Sequence, residues 1–83
     1  MKSSANYSLY YYDACPFCQL VLRSLPNTNV EVELRNTLSD PENRKALIQG
    51  GGRSTVPCLR IEKDGQDQWM YESRDIVMYL KSL

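Results

Sequence analysis

No stretch of the chain restricts its fold more than Cys15-Pro16-Phe17-Cys18. Before it, Tyr7 to Tyr12 carries apolar or amphipathic side chains on both faces, as a strand covered on each side does. After it, Cys18, Val21, Leu22 and Leu25 recur at i, i+3, i+4 and i+7, one face of a helix. The motif therefore sits at a strand-to-helix junction. Proline suits the first helical position, where its missing N–H would have no partner anyway, and this places Cys15 at the cap. The free N–H groups and the positive end of the helix dipole then point at the Cys15 sulfur and favour its thiolate. Cys18, three residues on, lies on the same side of the first turn, within reach of a disulfide formed at Cys15. That is the geometry of thiol–disulfide exchange. A structural disulfide here would close a very short loop, which constrains the unfolded chain least. A zinc site needs four ligands, and beyond this pair the chain offers only Cys58 and no histidine. Two inert buried cysteines would not need a proline-led helix start.

Eighty-three residues suit one small domain over positions 1–83, able to bury about 60–65% of its unfolded surface. The formal net charge is zero, so no global basic field points to nucleic acid or to an anionic membrane. Three cysteines are an odd number, unlike a secreted disulfide framework. Met1 to Asn6 has no apolar core of the kind a signal peptide needs. No apolar run approaches the roughly 18 residues that span a bilayer. A reducing cytoplasm is the expected compartment.

Along the chain, the helix from Pro16 should stop near Leu25, because Pro26 disfavours helical geometry in the residue before it. Asn27 and Asn29 then make a turn. Val30, Val32 and Leu34 alternate with Glu31, Glu33 and Arg35, the pattern of an edge strand with one buried face. Ser39-Asp40-Pro41-Glu42 starts a second helix, through a Ser/Glu capping box or through Asp40 as the cap. This helix turns Ala46, Leu47 and Ile48 inward and ends at Gly50-Gly51-Gly52. The triplet follows a helix and lacks a Walker lysine, so it is a helix stop and not a phosphate cradle. Thr55-Val56-Pro57 opens a strand running through Leu59 and Ile61. Asp64-Gly65 is a hairpin turn, with Gln68 to Tyr71 returning. Ser73 caps a last helix with Ile76, Tyr79, Leu80 and Leu83 on one face and Asp75 in its first turn.

With these elements in place the chain resembles a glutaredoxin, within the thioredoxin-like superfamily. The resemblance rests on Cys15-Pro16-Phe17-Cys18, on Gly52-Arg53-Ser54-Thr55-Val56-Pro57, and on the run from Tyr71-Glu72-Ser73 to Leu80. It implies an α/β fold in βαβαββα order, a four-stranded mixed sheet flanked by three helices, with Pro57 cis and facing the two cysteines. It implies glutathione as cosubstrate, no metal, and reduction of glutathionylated or disulfide-containing proteins. The implied redox-active disulfide is Cys15–Cys18, with Cys15 attacking and Cys18 resolving. The implied glutathione site starts with Tyr12 and Phe17 beside the cysteines. Thr55, Val56 and Pro57 follow, the Val56 backbone pairing with the cysteinyl unit. The N-terminus of the last helix, with Ser73, would take the γ-glutamyl carboxylate, and Glu72 or Asp75 the ammonium. Arg44 or Arg53 would meet the glycyl carboxylate. Tyr12 stands where many glutaredoxins carry lysine, which leaves the thiolate more dependent on the helix dipole. Glu72-Ser73 resembles the N-terminal domain of glutathione transferases and a transferase-like branch of glutaredoxins. Cys58 reads as a small buried hydrophobe in a strand.

Other functions compete with this one. A glutathione transferase is disfavoured because the helical domain that binds its electrophile is not in these residues. An iron–sulfur cluster carrier would use Cys15 and glutathione across a dimer, and Pro16 argues against it, since cluster-binding relatives carry small residues there. A thioredoxin-like reductant fed by a flavoprotein would not use glutathione, whereas Glu72-Ser73 and the arginines favour it. A monomer is expected.

Overall fold

The computed structural model describes residues 5–83. The expectation about a leader in Met1 to Asn6 falls, over residues 1–4, outside the described residues. The elements are β1 (Asn6–Tyr11), α1 (Pro16–Ser24), β2 (Val32–Asn36), α2 (Pro41–Gly51), β3 (Cys58–Lys63), β4 (Gln66–Met70) and α3 (Ser73–Lys81). The sheet order is β2-β1-β3-β4. β1 runs parallel to β2 and antiparallel to β3, and β4 returns antiparallel to β3. This is the expected four-stranded mixed sheet with three helices. β1, apolar on both faces, takes a central position, and β2 takes an edge.

Local chemistry accounts for most boundaries. α1 opens on Pro16 and ends at Ser24, and Leu25–Asn27 adds a single 3-10 turn around Pro26, which has no N–H to continue the helix. Asp40, and not a Ser39/Glu42 box, caps α2: its carboxylate accepts the Glu42 N–H at 3.0 Å. Gly50 and Gly51 remain helical, and only Gly52, at φ 87°, ends the helix in the left-handed region. Asp64 and Gly65 take φ 55° and 77°, the two positive values a tight hairpin turn requires.

Six expectations are corrected. Leu34 pairs with Leu9 in register but is 48% exposed, because at the sheet edge its face is open. Ile48 is also exposed, since α2 turns only Leu47 fully inward, with Ala46 half-buried. Thr55-Val56-Pro57 precedes β3 as loop instead of opening it, and β4 ends at Met70, so Tyr71 lies beyond the ladder. Glu72, with extended backbone, is the cap of α3, which leaves Ser73 as its first helical residue. Leu83 lies past the helix and is exposed.

The sheet separates two apolar layers. Leu9, Val21, Leu59, Ile61, Ile76 and Leu80 pack where α1 and α3 cover one face. Tyr10, Leu47 and Cys58 pack on the other side with Ala46, Val56, Trp69 and Tyr71 against them. The alternation of Leu9 with Tyr10 along β1, and of Cys58 with Leu59 along β3, divides the layers.

Candidate active site

Cys15 is the cap of α1, with extended backbone at φ −84° and ψ 118° and Pro16 next to it. Its carbonyl accepts the Gln19 N–H at 3.1 Å, and its own N–H donates to the Tyr12 carbonyl at 3.3 Å. The sulfur is thereby aimed along the helix axis, where it accepts the Cys18 N–H at 3.4 Å. The sulfur thus sits against that donor at the positive end of the helix dipole. On its other side the Cys15 thiol lies 3.9 Å from the Val56 carbonyl oxygen, which it approaches as donor. Val56–Pro57 is the cis peptide bond of the described chain. The strand–helix junction and the loop before β3, distant in sequence, therefore meet at one sulfur atom.

Cys18 is fully buried. Burial pushes its thiol up to about 12, against the Tyr12 backbone, which lowers it, and with a smaller upward push from the neighbouring Cys15. Cys18 is thus kept protonated while the cap position presents Cys15 to the N–H groups of the helix. Cys58 is buried on the opposite side of the sheet with Tyr10 and Leu47. Burial raises its thiol to about 11, opposed by the Tyr71 hydroxyl, the Met70 backbone and the Arg53 charge. That placement agrees with its reading as a small hydrophobe.

The structure sorts the remaining candidates. Tyr12 reaches Cys15 through its carbonyl. Phe17 is 60% exposed on the first turn of α1. Thr55 is exposed, Val56 half-buried and Pro57 buried beneath the loop. Arg53 is exposed and stacks its guanidinium on the Tyr71 ring, 4.4 Å from the centroid. Arg44 lies exposed on α2. Glu72 is exposed, with no side-chain hydrogen bond to the helix it caps, so the first N–H groups of α3 have no such acceptor. Ser73 lines an open groove of about 460 Å³ between α1 and α3, together with Leu20, Val77 and Met78. Among the described residues no hydrogen bond or ion pair joins Arg44, Glu72 or Ser73 to the cysteines. Tyr71, which has no role of its own in the sequence reading, donates its hydroxyl to the Arg53 carbonyl at 3.3 Å. Nothing in the residue pattern signals that bond.

Fold and site together define a thioredoxin-like domain with a paired thiol at a helix cap. Residues 9–83 match the family described as Glutathione S-transferase, N-terminal domain, and the chain belongs to that family. It is 36% identical to Glutaredoxin 2 of Escherichia coli (strain K12) over 75 residues, which are 90% of this chain and 33% of that protein. The crystal structure of Glutaredoxin 2 from Salmonella typhimurium in complex with glutathione superposes with a TM-score of 0.63 at 35% identity, covering 92% of this chain and 33% of that one. Maleylacetoacetate isomerase from Anaeromyxobacter dehalogenans 2CP-1, solved with glutathione in its active site, shares the fold at a TM-score of 0.71 and 23% identity, over 98% of this chain and 38% of that one. The glutaredoxin resemblance carried by the cysteine motif is thus found again over nearly the whole chain. The chain spans about a third of the length of the curated relatives it matches. Among the described residues, no helix is long and apolar enough to cross a membrane.

Proposed function

We propose that this domain is a glutathione-dependent thiol–disulfide oxidoreductase working through Cys15 and Cys18. The observation that carries the reading is the Cys15 sulfur, set at a helix cap against the Cys18 N–H and beside the Val56 carbonyl. The Cys15 thiolate attacks the glutathionyl sulfur of a protein mixed disulfide and the protein leaves as thiolate, which takes up a proton. A second glutathione, as thiolate, attacks the same glutathionyl sulfur; Cys15 leaves as thiolate and glutathione disulfide departs. With a protein disulfide, Cys15 joins one sulfur and releases the other. Cys18 then attacks Cys15, its proton passes to the departing protein thiolate, and the resulting Cys15–Cys18 disulfide is reduced by two glutathiones.

Glutathione would lie between the loop before β3 and the N-terminus of α3. Its cysteinyl backbone would pair with Val56, in the manner of a short added strand. Its γ-glutamyl carboxylate suits the α3 terminus, where Glu72 supplies no side-chain cap. Glu72 or Asp75 would hold the ammonium, and Arg53 or Arg44 the glycyl carboxylate. Tyr12, Phe17 and Thr55 would border the peptide, with Pro57 shaping the loop and Ser73 at the helix start. The expected setting is a monomer in a reducing cytoplasm, acting on glutathionylated or disulfide-containing proteins.

The test uses glutathione-dependent reduction of a small mixed disulfide and of a protein disulfide. Cys15→Ser should abolish both activities. Cys18→Ser should keep much of the first and lose the second. A dead Cys18→Ser beside an active Cys15→Ser would reverse the roles.

A further inference from the structure

Two arginines of this domain lie over aromatic rings, and their surroundings differ. Arg60 sits over Trp69 at 5.1 Å, and its guanidinium is engaged by Glu62 at 3.2 Å and Asp67 at 2.9 Å. Arg53 sits closer to its ring, 4.4 Å from the Tyr71 centroid, is exposed, and has no carboxylate partner among the described residues. Stacking occupies the face of a guanidinium and leaves its edge donors outward, in the plane that meets a carboxylate. Tyr71 also grips the other end of the same residue, through its hydroxyl on the Arg53 carbonyl at 3.3 Å. One side chain therefore fixes both the backbone and the charged head of Arg53.

Arg53 opens the irregular segment that leads to Val56 and Pro57, and Val56 presents its carbonyl to Cys15. Tyr71 is itself held: it follows β4 and packs against the Tyr10–Leu47–Cys58 layer. Gly51 makes room for it, since a Cβ there would fall on the Tyr71 hydroxyl. Arg44, the other candidate cation, has no comparable contact among the described residues.

We infer that Tyr71 is a positioning residue that acts through Arg53. It holds the guanidinium edge ready for a carboxylate of the peptide thiol and steadies the loop whose Val56 meets Cys15. This rests on the glutathione reading above and selects Arg53 over Arg44 for the carboxylate. Among the described residues no hydrogen bond joins Tyr71 to Cys15 or Cys18, so its effect belongs to binding and not to the exchange step.

The test is the glutathione dependence of mixed-disulfide reduction, measured on the full chain. Tyr71→Leu should raise the glutathione KM about fivefold with kcat held within about twofold, and Tyr71→Phe, which keeps the stack, should raise it only about twofold. In an Arg53→Ala background, Tyr71→Leu should add no more than about twofold, the part carried by the hydroxyl bond to the backbone carbonyl that alanine keeps. Arg53→Lys, at an exposed position, keeps the charge without the planar stack and should raise KM about threefold. That variant carries the test if Tyr71→Leu melts too low to assay. An unchanged KM in Tyr71→Leu or in Arg53→Lys, or additive effects in the double variant, would overturn the positioning role. A wild type whose rate shows no dependence on glutathione would instead overturn the glutathione reading, so the two failures are distinguishable.

Discussion

The two sides of the sheet are built from different residues. Under α1 and α3 the buried set is aliphatic, with Leu9, Val21, Leu59, Ile61, Ile76 and Leu80 filling one layer. Under α2 the fully buried set is Tyr10, Leu47 and Cys58, and much of the remaining contact comes from half-buried Trp69 and Tyr71. There the rings approach the helix because Gly50 and Gly51 lack side chains: a Cβ at Gly50 would fall on Trp69, and one at Gly51 on Tyr71. The aliphatic layer removes apolar surface from water without directional demands. The aromatic layer orients a hydroxyl and two guanidinium groups. The first contributes burial alone, whereas the second also holds the Arg53 carbonyl, at the start of the loop that leads to Val56.

Truncation in the aliphatic layer separates these roles most sharply. Ile76 is fully buried between α3 and the sheet, and Ile76→Ala should cost about 2–5 kcal/mol, from lost transfer energy plus the cavity left behind. In a domain of this size that lowers the melting temperature by about 10 °C or more. The glutathione KM of the folded fraction should not change. Urea unfolding with parallel kinetics checks both statements, and a selective rise in KM would show that the two layers are not independent.

The element boundaries on both sides of the sheet are the part of the molecule most legible in the sequence. Cys18, Val21 and Leu22 at helical spacing locate α1, Asp64-Gly65 locates the hairpin, and Asp40-Pro41 locates the start of α2. Each rests on a local rule that needs no tertiary contact. The misreadings arise where tertiary placement decides. Leu34 alternates correctly but sits at an open edge, and periodicity has no knowledge of which helix covers which strand. Ser73 is a good capping residue, yet Glu72 takes the cap because the chain leaving β4 is still extended there. That Pro57 faces the two cysteines follows only from resemblance to known proteins, and no local rule brings Val56 to Cys15. The hold of Tyr71 on Arg53 was not visible at all, because it depends on missing atoms at Gly51.

Cys58 gives a smaller effect, specific to the aromatic layer. Burial raises its thiol from 9.0 to about 11, so the folded state favours the protonated form. The stability this contributes is fully present below the unfolded value and is lost as pH rises through the folded one. The reduced protein should therefore lose no more than about 2 kcal/mol from this group between pH 9 and pH 11. Measured in a Cys18→Ser background, so that the other thiol raised by burial does not titrate, the loss should be present with Cys58 and absent in Cys58→Ala. An identical alkaline slope in both proteins would show that Cys58 is not protected by the layer around it.

The smallest change in stability tests the comparison from the opposite side. Gly51 is the last helical residue of α2, and alanine there gains up to about 1 kcal/mol of helix propensity. Its Cβ would take the space of the Tyr71 hydroxyl, so the ring must swing and its bond to the Arg53 carbonyl is lost, at about 1 kcal/mol. The two effects oppose each other, and Gly51→Ala should unfold within about 1 kcal/mol of wild type. Its glutathione KM should nonetheless rise by about two- to fivefold, since the stack that fixes Arg53 is disturbed along with the hydroxyl bond. Ile76→Ala should show the reverse: a large loss of stability and an unmoved KM. Calorimetry and steady-state kinetics on the two variants decide it. If Gly51→Ala keeps both its stability and its KM, the ring has found room without releasing Arg53, and the aromatic layer shapes the site less closely than its contacts indicate.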